Sequence, residues 1–243
     1  MTIFDRYGNQ YSSLLEAFSI DVYAKNIIAV VGGGGKTTII KTLLYEFEKQ
    51  VKRAIGMTTT KIRVPDYGAI LTEESFELLD MMTGVVTIGK NWGNKKMTSP
   101  SIEFQTELYK RYDTICIEAD GSKGLPSKAP NDTEPVIPKE TTLLLGVQGI
   151  DALGCPIEQV CHRPEIVCKR LGKKPKDRLE PEDMARLFLE EKGIKKGYEG
   201  KEYIAIIQKV DTKEQLEQAK KIGTCMMEQG FERIFYTSSQ WKE

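Results

Sequence analysis

The sequence lacks any apolar run long enough to cross a bilayer. A membrane-spanning helix needs about 20 consecutive apolar residues, and polar or charged residues interrupt every hydrophobic segment of the chain before that length. The sequence also lacks net charge, because 35 Lys and Arg residues balance 35 Asp and Glu residues. A neutral chain is not drawn broadly to nucleic acid or to anionic membranes, so we expect neither as a partner.

Cysteine pairs and a secretory leader are missing too. The five cysteines are an odd number and include no Cys-x-x-Cys pair, and residues 1–11 show no charged segment followed by an apolar core. These features predict a cytoplasmic protein with reduced thiols. Three cysteines nevertheless lie close in sequence to the single histidine. They could form a metal or chalcogen site, or they could simply be buried. These four residues are Cys155, Cys161, His162 and Cys168.

Apolar segments alternate with amphipathic segments along the chain, which is the pattern of an α/β protein. Several apolar segments are rich in β-branched residues, as expected when helices cover both faces of a mostly parallel sheet. We predict one domain over residues 1–243, with a small irregular or helical insertion at 149–200. Because four glycines followed by Lys-Thr-Thr join a predicted strand to a predicted helix at residues 32–38, we expect this domain to be P-loop NTPase-like. The predicted strands are Asn26–Val31, Ala54–Met57, Val85–Ile88, Thr114–Glu118, Thr142–Val147, Tyr203–Gln208 and Arg233–Tyr236. The predicted helices are Ser12–Ser19, Lys36–Gln50, Glu73–Met82, Ser101–Lys110, Pro181–Glu191 and Lys213–Glu228.

Four consecutive glycines between a predicted strand and a predicted helix form the most informative motif. Glycines let a backbone curl around an anion with its N–H groups pointing inward, and the following helix adds the positive end of its dipole. A lysine and a threonine come next, as in phosphate-binding loops, where the lysine reaches the outer phosphates and the hydroxyl ligates Mg²⁺. We therefore predict that ATP or GTP, with Mg²⁺, binds at Gly32, Gly33, Gly34, Gly35, Lys36, Thr37 and Thr38.

The motif departs from the standard G-x-x-x-x-G-K-[ST] pattern, because Val30 stands where the first glycine belongs. The shorter frame Gly32-x-x-Gly35-Lys36-Thr37 fits instead, and it resembles the contracted loop of ATP-dependent peptidoglycan amide ligases. A glycine-rich turn without a ligand is the alternative. Ordering four glycines costs much conformational entropy, which favours the binding loop.

Two acidic residues follow the predicted strand Thr114–Glu118, at the end where ligands bind in open parallel sheets. The segment Glu118-x-x-Gly121 resembles the Glu-x-x-Gly motif of GTPases that mature nickel and cobalamin enzymes. We expect Glu118, together with Thr37, to hold Mg²⁺ or its water, and we assign catalytic roles to Lys36, Glu118 and Asp120. Asp120 competes with Glu118 for the metal or the attacking water, and a plain Asp-Gly turn is the alternative.

A candidate base-recognition segment follows a late apolar strand. Gln208-Lys209-Val210-Asp211 resembles the guanine-reading Asn-Lys-x-Asp motif, with Gln208 in place of asparagine. A carboxylate selects guanine because adenine lacks the N1–H and N2–H donors, so we predict that Lys209 and Asp211 bind the base beside Thr237–Ser239. The alternative is an acid at a helix N-terminus, with Asp211 or Thr212 as its cap. The choice between GTP and ATP stays open.

Further polar residues fall near the predicted strand ends. The hydroxyls of Thr58–Thr60 could face phosphates, or they could simply end a strand, since threonine has high β-propensity. Arg163 could pair with an oxyanion or with Glu165. Cys116 is predicted to be buried. Candidates for a basic rim, or for a turn facing the site, are Lys61, Lys123, Lys128 and Asp151.

Several of these segments together resemble the YqeC family, the selenium-dependent hydroxylase accessory proteins, also called selenium cofactor biosynthesis proteins. The resemblance runs from about Asn26 to the last strand and is weak before it and in 165–200. It is specific because the Glu-Ala-Asp-Gly and Lys-x-Pro segments are unusual. It rests on Val31–Thr38, Thr58–Ile62, Glu118–Pro126, Lys128–Pro130, Glu134–Pro138 and His162–Pro164.

The resemblance implies a role in maturing molybdenum hydroxylases that carry a labile selenium centre. A partner hydroxylase or a cofactor-assembly protein is then expected. With the glycine loop, this indicates a nucleotide-binding, NTP-hydrolysing accessory protein. Two other functions stay open: an ATP-dependent ligase or kinase with a contracted P-loop, and a nucleotide-gated carrier or chaperone without turnover.

Overall fold

A computed structural model of the chain describes residues 1–50, 53–200 and 202–242. A ten-stranded sheet forms its centre, and helices cover both faces. The strands are β1 (Thr2–Asp5), β2 (Gln10–Tyr11), β3 (Asn26–Gly32), β4 (Ala54–Thr58), β5 (Ile62–Arg63), β6 (Ala69–Leu71), β7 (Val86–Ile88), β8 (Lys90–Gly93), β9 (Lys96–Thr98), β10 (Thr114–Glu118), β11 (Ser127–Lys128), β12 (Leu143–Gly149), β13 (Cys161–His162), β14 (Tyr203–Gln208) and β15 (Ile234–Ser238). The helices are α1 (Leu14–Ala17), α2 (Lys36–Lys49), α3 (Phe76–Met81), α4 (Ile102–Arg111), α5 (Ile157–Val160), α6 (Pro164–Leu171), α7 (Pro181–Leu189) and α8 (Lys213–Met227), with a 3₁₀ turn at Ile150–Ala152.

The strand order is β2-β1-β15-β14-β12-β3-β10-β4-β7-β6. Every neighbouring pair from β15 to β6 is parallel, whereas β1 and β2 add an antiparallel hairpin at one edge. The predicted α/β class with a mostly parallel sheet is therefore confirmed. Because parallel strands end on the same side, the segments that follow β3, β10, β12 and β14 come together at the carboxyl end of the sheet.

The two faces of the sheet bury separate apolar clusters. Successive side chains of a strand point to opposite faces, and in β3 this sends Ile28 and Val30 to one cluster and Ile27 and Val31 to the other. Helices α1 and α2 contribute to the first cluster, and α3 to α8 contribute to the second. The segment 149–200, predicted as an insertion, thus buries its apolar residues in the same cluster as α8.

The long elements lie where the sequence predicts them, and the helix ends differ by three residues or fewer. The short helix predicted at Ser12–Ser19 is α1, which begins after the N-cap Ser13. No sequence pattern predicted the hairpin of β1 and β2, strand β6, or the two small sheets formed by β5-β9-β8 and β11-β13. These strands have two to four residues, too few to show a hydrophobic period. None of the helices in the described ranges has the length and apolar character that crossing a bilayer requires.

The stability of the fold is predicted to depend on the buried face of α2. Leu43 is 0% exposed under the sheet, so Leu43→Ala should lower the free energy of unfolding by about 2–5 kcal/mol through lost burial and the cavity it leaves. Urea denaturation followed by circular dichroism measures this. Lys49→Ala on the exposed side of the same helix is the control and should change stability little. Equal effects of the two substitutions would contradict the packing of α2.

Candidate functional site

Neighbouring backbone holds the loop between β3 and α2 in place. The Gly33 N–H donates to the Val147 carbonyl at 2.8 Å, and the Gly34 N–H donates to the Leu125 carbonyl at 3.1 Å. A Cβ at Gly33 would lie 2.7 Å from that Leu125 oxygen. The loop is therefore packed between the end of β12 and the segment before β11.

Two of the glycines combine a left-handed backbone with contacts too close for any side chain. At Gly32, φ is +102° and a Cβ would lie 2.1 Å from the Val147 carbonyl oxygen. At Gly35, φ is +131° and a Cβ would lie 1.2 Å from Oε1 of Gln208. Glycine adopts both backbone conformations without strain, and at Gly32 the Val147 backbone also leaves no room for a side chain, so these two positions require glycine.

The amides that remain for an anion lie at the start of α2. Within the described part of the chain, the N–H groups of Gly35, Lys36 and Thr37 have no protein acceptor. The first turn of a helix leaves such groups unsatisfied, and the helix dipole adds partial positive charge there. The amides of Gly32 to Gly34 already have protein acceptors, and the Thr38 N–H donates to the Gly35 carbonyl at 3.0 Å. The free donors are therefore three adjacent amides at the N-terminus of α2.

The Lys36 side chain is buried between two carboxylates. Its Nζ donates to the Gly32 carbonyl at 2.7 Å and lies 3.2 Å from Oδ1 of Asp120 and 3.7 Å from Oε1 of Glu118. Burial acts to lower the pKa of Lys36, but Asp120 and Glu118 outweigh it and raise that pKa above its ordinary value. The ammonium is therefore charged and held beside the loop.

Glu118 connects β10 to the first turn of α2. The Thr37 hydroxyl donates to Oε2 of Glu118 at 3.1 Å, while Thr37 itself is exposed. Burial raises the pKa of Glu118, although Lys36 and the Thr37 hydroxyl oppose the rise. Mg²⁺ in phosphate sites uses one or two protein oxygens and keeps the rest of its shell for water and phosphate. The Thr37 hydroxyl and the Glu118 carboxylate fit that donor set.

Asp120 is the buried anchor of the loop. Its side chain is 1% exposed, and its Oδ2 accepts the Gly32 N–H at 2.9 Å. It also pairs with Lys36 and, at 3.0 Å, with Nζ of Lys128. These contacts turn Asp120 inward, whereas Glu118 contacts the exposed Thr37. The two acids that the sequence left in competition thus occupy different places.

Three further residues extend these contacts into an ion-pair chain. Lys128, predicted on a rim, is 0% exposed, and its Nζ donates to the Gly121 carbonyl at 2.7 Å and to Oε2 of Glu134 at 3.0 Å. Nη1 of Arg163 reaches the same Glu134 oxygen at 2.7 Å. Burial acts to raise the pKa of Glu134, but Arg163 and Lys128 hold it below its usual range. The ion-pair chain is Glu118, Lys36, Asp120, Lys128, Glu134 and Arg163.

The sequence did not single out Glu134 as a site residue. Its segment appeared only as one of the motifs shared with a family, inside a long Pro-rich loop. A charged residue in such a loop is normally solvated, so nothing local marks it. Only the folded chain brings Glu134 between Lys128 and Arg163.

The predicted base-recognition segment lies beside the glycine loop. Gln208 packs against Gly35, which joins the end of β14 to the start of α2. Lys209 has a left-handed φ of +64°, and its Nζ lies 2.6 Å from Oδ2 of Asp151. Gly34 also packs against Gly149, two residues before Asp151. The structure therefore brings the loop and the base segment together, while the base role stays a prediction.

Asp211 is held by the last residue of β15. Its carboxylate accepts the Ser238 hydroxyl, and its N–H donates to the Gln215 side chain at 2.7 Å. The cap of α8 is Thr212, whose hydroxyl accepts the Gln215 N–H at 3.2 Å. The capping explanation thus applies to Thr212, which leaves the Asp211 carboxylate beside Ser238.

Two of the three threonines at the end of β4 donate hydrogen bonds to neighbouring backbone. The Thr58 hydroxyl donates toward the Glu118 carbonyl at 3.0 Å, and the Thr59 hydroxyl donates to the Val136 carbonyl at 2.7 Å. The Thr60 hydroxyl is buried without a protein partner in the described ranges. Lys61 lies over the Trp92 ring, with Nζ 4.3 Å from its centroid. This segment therefore ties β4 to β10 and to residues 134–138.

The cysteines show no arrangement for a metal. Across the described ranges, no group of three or more His, Cys, Asp or Glu side chains is placed to hold a metal ion. Cys116, Cys161 and Cys168 are buried free thiols. Burial raises the pKa of Cys161 to about 12 and also raises that of Cys168, so both stay protonated thiols. Cys155 and Cys225 are free and partly exposed.

A family model described as "YqeC protein" matches residues 28–165, more than half of the chain. The chain belongs to the YqeC family. It is similar to the uncharacterized protein YqeC of Escherichia coli (strain K12), with 29% identity over 189 residues, covering 73% of this chain and 74% of that relative. No solved structure is significantly similar to the chain.

The YqeC family match contains the whole ion-pair chain. It begins within β3 and ends at α6, so it includes the glycine loop, both acids of β10, Lys128, Glu134 and Arg163. It ends before β14 and therefore before Lys209 and Asp211. The family model thus covers the loop and its buried partners, whereas the base segment lies outside it.

The Glu134 carboxylate is predicted to stabilise the fold in a pH-dependent way. Because its folded pKa lies below the ordinary 4.5, its contribution is present above that pH and is lost as pH falls through the folded pKa. Glu134→Gln should lower the free energy of unfolding by about 1–2 kcal/mol at pH 7. The gap from the parent protein should close on acidification below 4.5.

Urea denaturation at a series of pH values tests this. Glu107→Gln removes an exposed carboxylate that pairs with Lys110 and is the matched control, expected to change stability little. A gap that widens on acidification, or none at pH 7, would show that Glu134 is not held ionised by its two cations.

Proposed function

We propose that this protein binds and hydrolyses a nucleoside triphosphate at the loop between β3 and α2. The observation that carries the proposal is the combination of three free amides, at Gly35, Lys36 and Thr37, with a charged lysine beside them. Amides at a helix N-terminus and an adjacent ammonium bind phosphate in many proteins. The placement at the carboxyl end of a parallel sheet supports the same ligand.

We assign each residue of the site a role according to its position. The three amides hold the phosphate tail, and the Lys36 ammonium, 3.2 Å from Asp120, neutralises charge that grows on the transferred phosphoryl group. Mg²⁺ would be held by Thr37 and Glu118, and it would supply positive charge to the phosphates. Glu118 lies at the Thr37 end of the ion-pair chain, and its pKa is raised by burial. A carboxylate with that property can accept a proton from an attacking water.

Lys209 and Asp211 are proposed to bind the nucleobase, which favours GTP over ATP. The support is the contact of Gln208 with Gly35, which places the base segment next to the phosphate loop. The Asp211 carboxylate keeps one oxygen beyond its contact with Ser238. Comparing the affinities of the protein for GTP and ATP tests which base is bound.

The biological role that we propose is that of an accessory protein in maturing selenium-dependent molybdenum hydroxylases. Membership of the YqeC family and the shared motifs support it. Nucleotide hydrolysis would drive a loading or assembly step on a partner hydroxylase or a cofactor-assembly protein. A ligase or kinase is the second candidate, favoured by the contracted loop, and product analysis separates the two because only a ligase or kinase leaves an amide or phosphorylated product.

Nucleotide binding is predicted to depend on Lys36. In a thermal-shift panel of ATP, GTP, CTP and their diphosphates with Mg²⁺, one triphosphate should raise the unfolding midpoint. A ligand at 100 times its dissociation constant adds about 2.7 kcal/mol. Lys36→Gln should weaken that binding about ten- to a hundredfold, because it removes a charged hydrogen-bond donor.

Lys41→Gln, an exposed lysine on α2, is the control for the Lys36 substitution. Lys36→Gln leaves two buried carboxylates with one cation fewer, so its circular dichroism must first show a folded chain. Thr37→Val is a second variant on the exposed mouth, and it should remove the dependence of binding on Mg²⁺. No midpoint shift with any nucleotide in the parent protein would overturn the proposal.

Hydrolysis is predicted to depend on Glu118 more than binding does. Glu118→Gln keeps the shape and a hydrogen-bond acceptor for Thr37 but loses the base, so phosphate release should fall about a hundredfold or more. The dissociation constant for the nucleotide should change little by comparison, because the glutamine oxygen can still ligate Mg²⁺. Inorganic phosphate release measures turnover. Unchanged turnover in this variant would transfer the water-orienting role to Asp120.

A further inference from the structure

Three residues at the Arg163 end of the ion-pair chain carry hydrogen-bond donors that have no acceptor in the described ranges. In the described ranges, the side chains of Lys123 and His162 make no hydrogen bond and no ion pair. Arg163 uses only Nη1, toward Glu134. Nε and Nη2 of Arg163, the Lys123 ammonium and a ring N–H of His162 are therefore available to donate hydrogen bonds to a ligand.

His162 and Arg163 both lie beside Lys128. Strands β11 and β13 pair in parallel with Lys128 opposite His162, and Arg163 follows at once. Lys123 belongs to the segment before β11, which the Leu125 carbonyl fixes to the glycine loop. His162 thus stands on a small sheet directly before Arg163, and the segment of Lys123 leads into the same sheet and contacts the glycine loop.

Two of the three residues adopt a backbone that side chains avoid. Lys123 has φ +52° and Arg163 has φ +61°, in the left-handed region that favours glycine or asparagine. Such strain persists where the surrounding structure imposes it, and it concentrates at binding sites. Here it affects two cations on neighbouring segments.

Three cations and one carboxylate act on His162. Burial and the charges of Arg163, Lys128 and Lys123 lower the pKa of His162, and only Glu134 opposes them. Glu134 is itself shared by Lys128 and Arg163. An additional anion would therefore be attracted there, and His162 would meet it as a neutral N–H donor.

We propose that Lys123, His162 and Arg163 form a second anion site, which binds a small tetrahedral oxyanion as a co-substrate beside the nucleotide. A planar guanidinium fork and an ammonium suit such an oxyanion. The contacts from Arg163 through Glu134, Lys128 and Asp120 to Lys36 join the second site to the phosphate loop. Oxyanion binding does not require the nucleotide, so the two proposals can fail separately.

Calorimetric titration of the full chain with sodium sulfate, at an ionic strength held constant with chloride, tests the site. Lys123→Gln, His162→Gln and Arg163→Gln should each weaken sulfate binding about tenfold, as expected for one lost charged or polar contact. Lys169→Gln, an exposed lysine of α6, should leave it unchanged. Lys123 and His162 have no side-chain partner to lose, so their variants decide the result if Arg163→Gln does not fold.

Crystals soaked in selenate locate the anion, because selenium scatters anomalously. A peak at Arg163 and His162 supports the proposal. Peaks only at the amides of Gly35 to Thr37, or an adventitious ion only at lattice contacts, overturn it, as does equal sulfate affinity in all variants. The nucleotide panel on the same variants separates the remaining case. A loss of nucleotide affinity without a loss of sulfate affinity would assign these donors to the nucleotide and overturn a second site.

Discussion

The structure depends on one buried carboxylate, that of Asp120. Burying a lone charge is very costly, and it persists only when paired and hydrogen-bonded. Asp120 meets that condition through the Gly32 N–H, Lys36 and Lys128. These contacts fix the first turn of the glycine loop, the direction of the loop lysine and the position of the segment that carries Lys128. The conformation of the site is thus set from inside the protein.

The same pairing separates an inner part of the site from an outer part. Gly32 to Gly34 donate to protein groups, so the free amides are the later ones, at the start of α2. Glu118 reaches the exposed Thr37, whereas Asp120 stays inside. This division is why two acids only two residues apart have different roles in the proposed chemistry.

The ion-pair chain also links elements that are distant in sequence. Lys36 belongs to α2, Lys128 to β11, Glu134 to a Pro-rich loop, and Arg163 precedes α6. Asp120 and Glu134 are each shared by two cations, so moving one member of the chain leaves another unpaired in a medium of low dielectric constant. Binding of an anion near Lys36 would therefore affect Glu134 and Arg163, since the charges between them are coupled.

The sequence alone determined the α/β class, the long strands and helices, and the glycine loop with Lys36, because each rests on a local signal: apolar period, glycine content or residue spacing. It also proposed Asp211 and Thr237–Ser239 for one binding site, while the contact between Asp211 and Ser238 comes from the structure. Only the tertiary structure decided which amides stay free, that Lys128 is buried, and that Glu134 joins two cations. Those facts arise from contacts between residues far apart in the chain, where no spacing rule operates. Burial then makes the free energy of each charge depend on its ion-pair partners, which cannot be read from the neighbouring sequence.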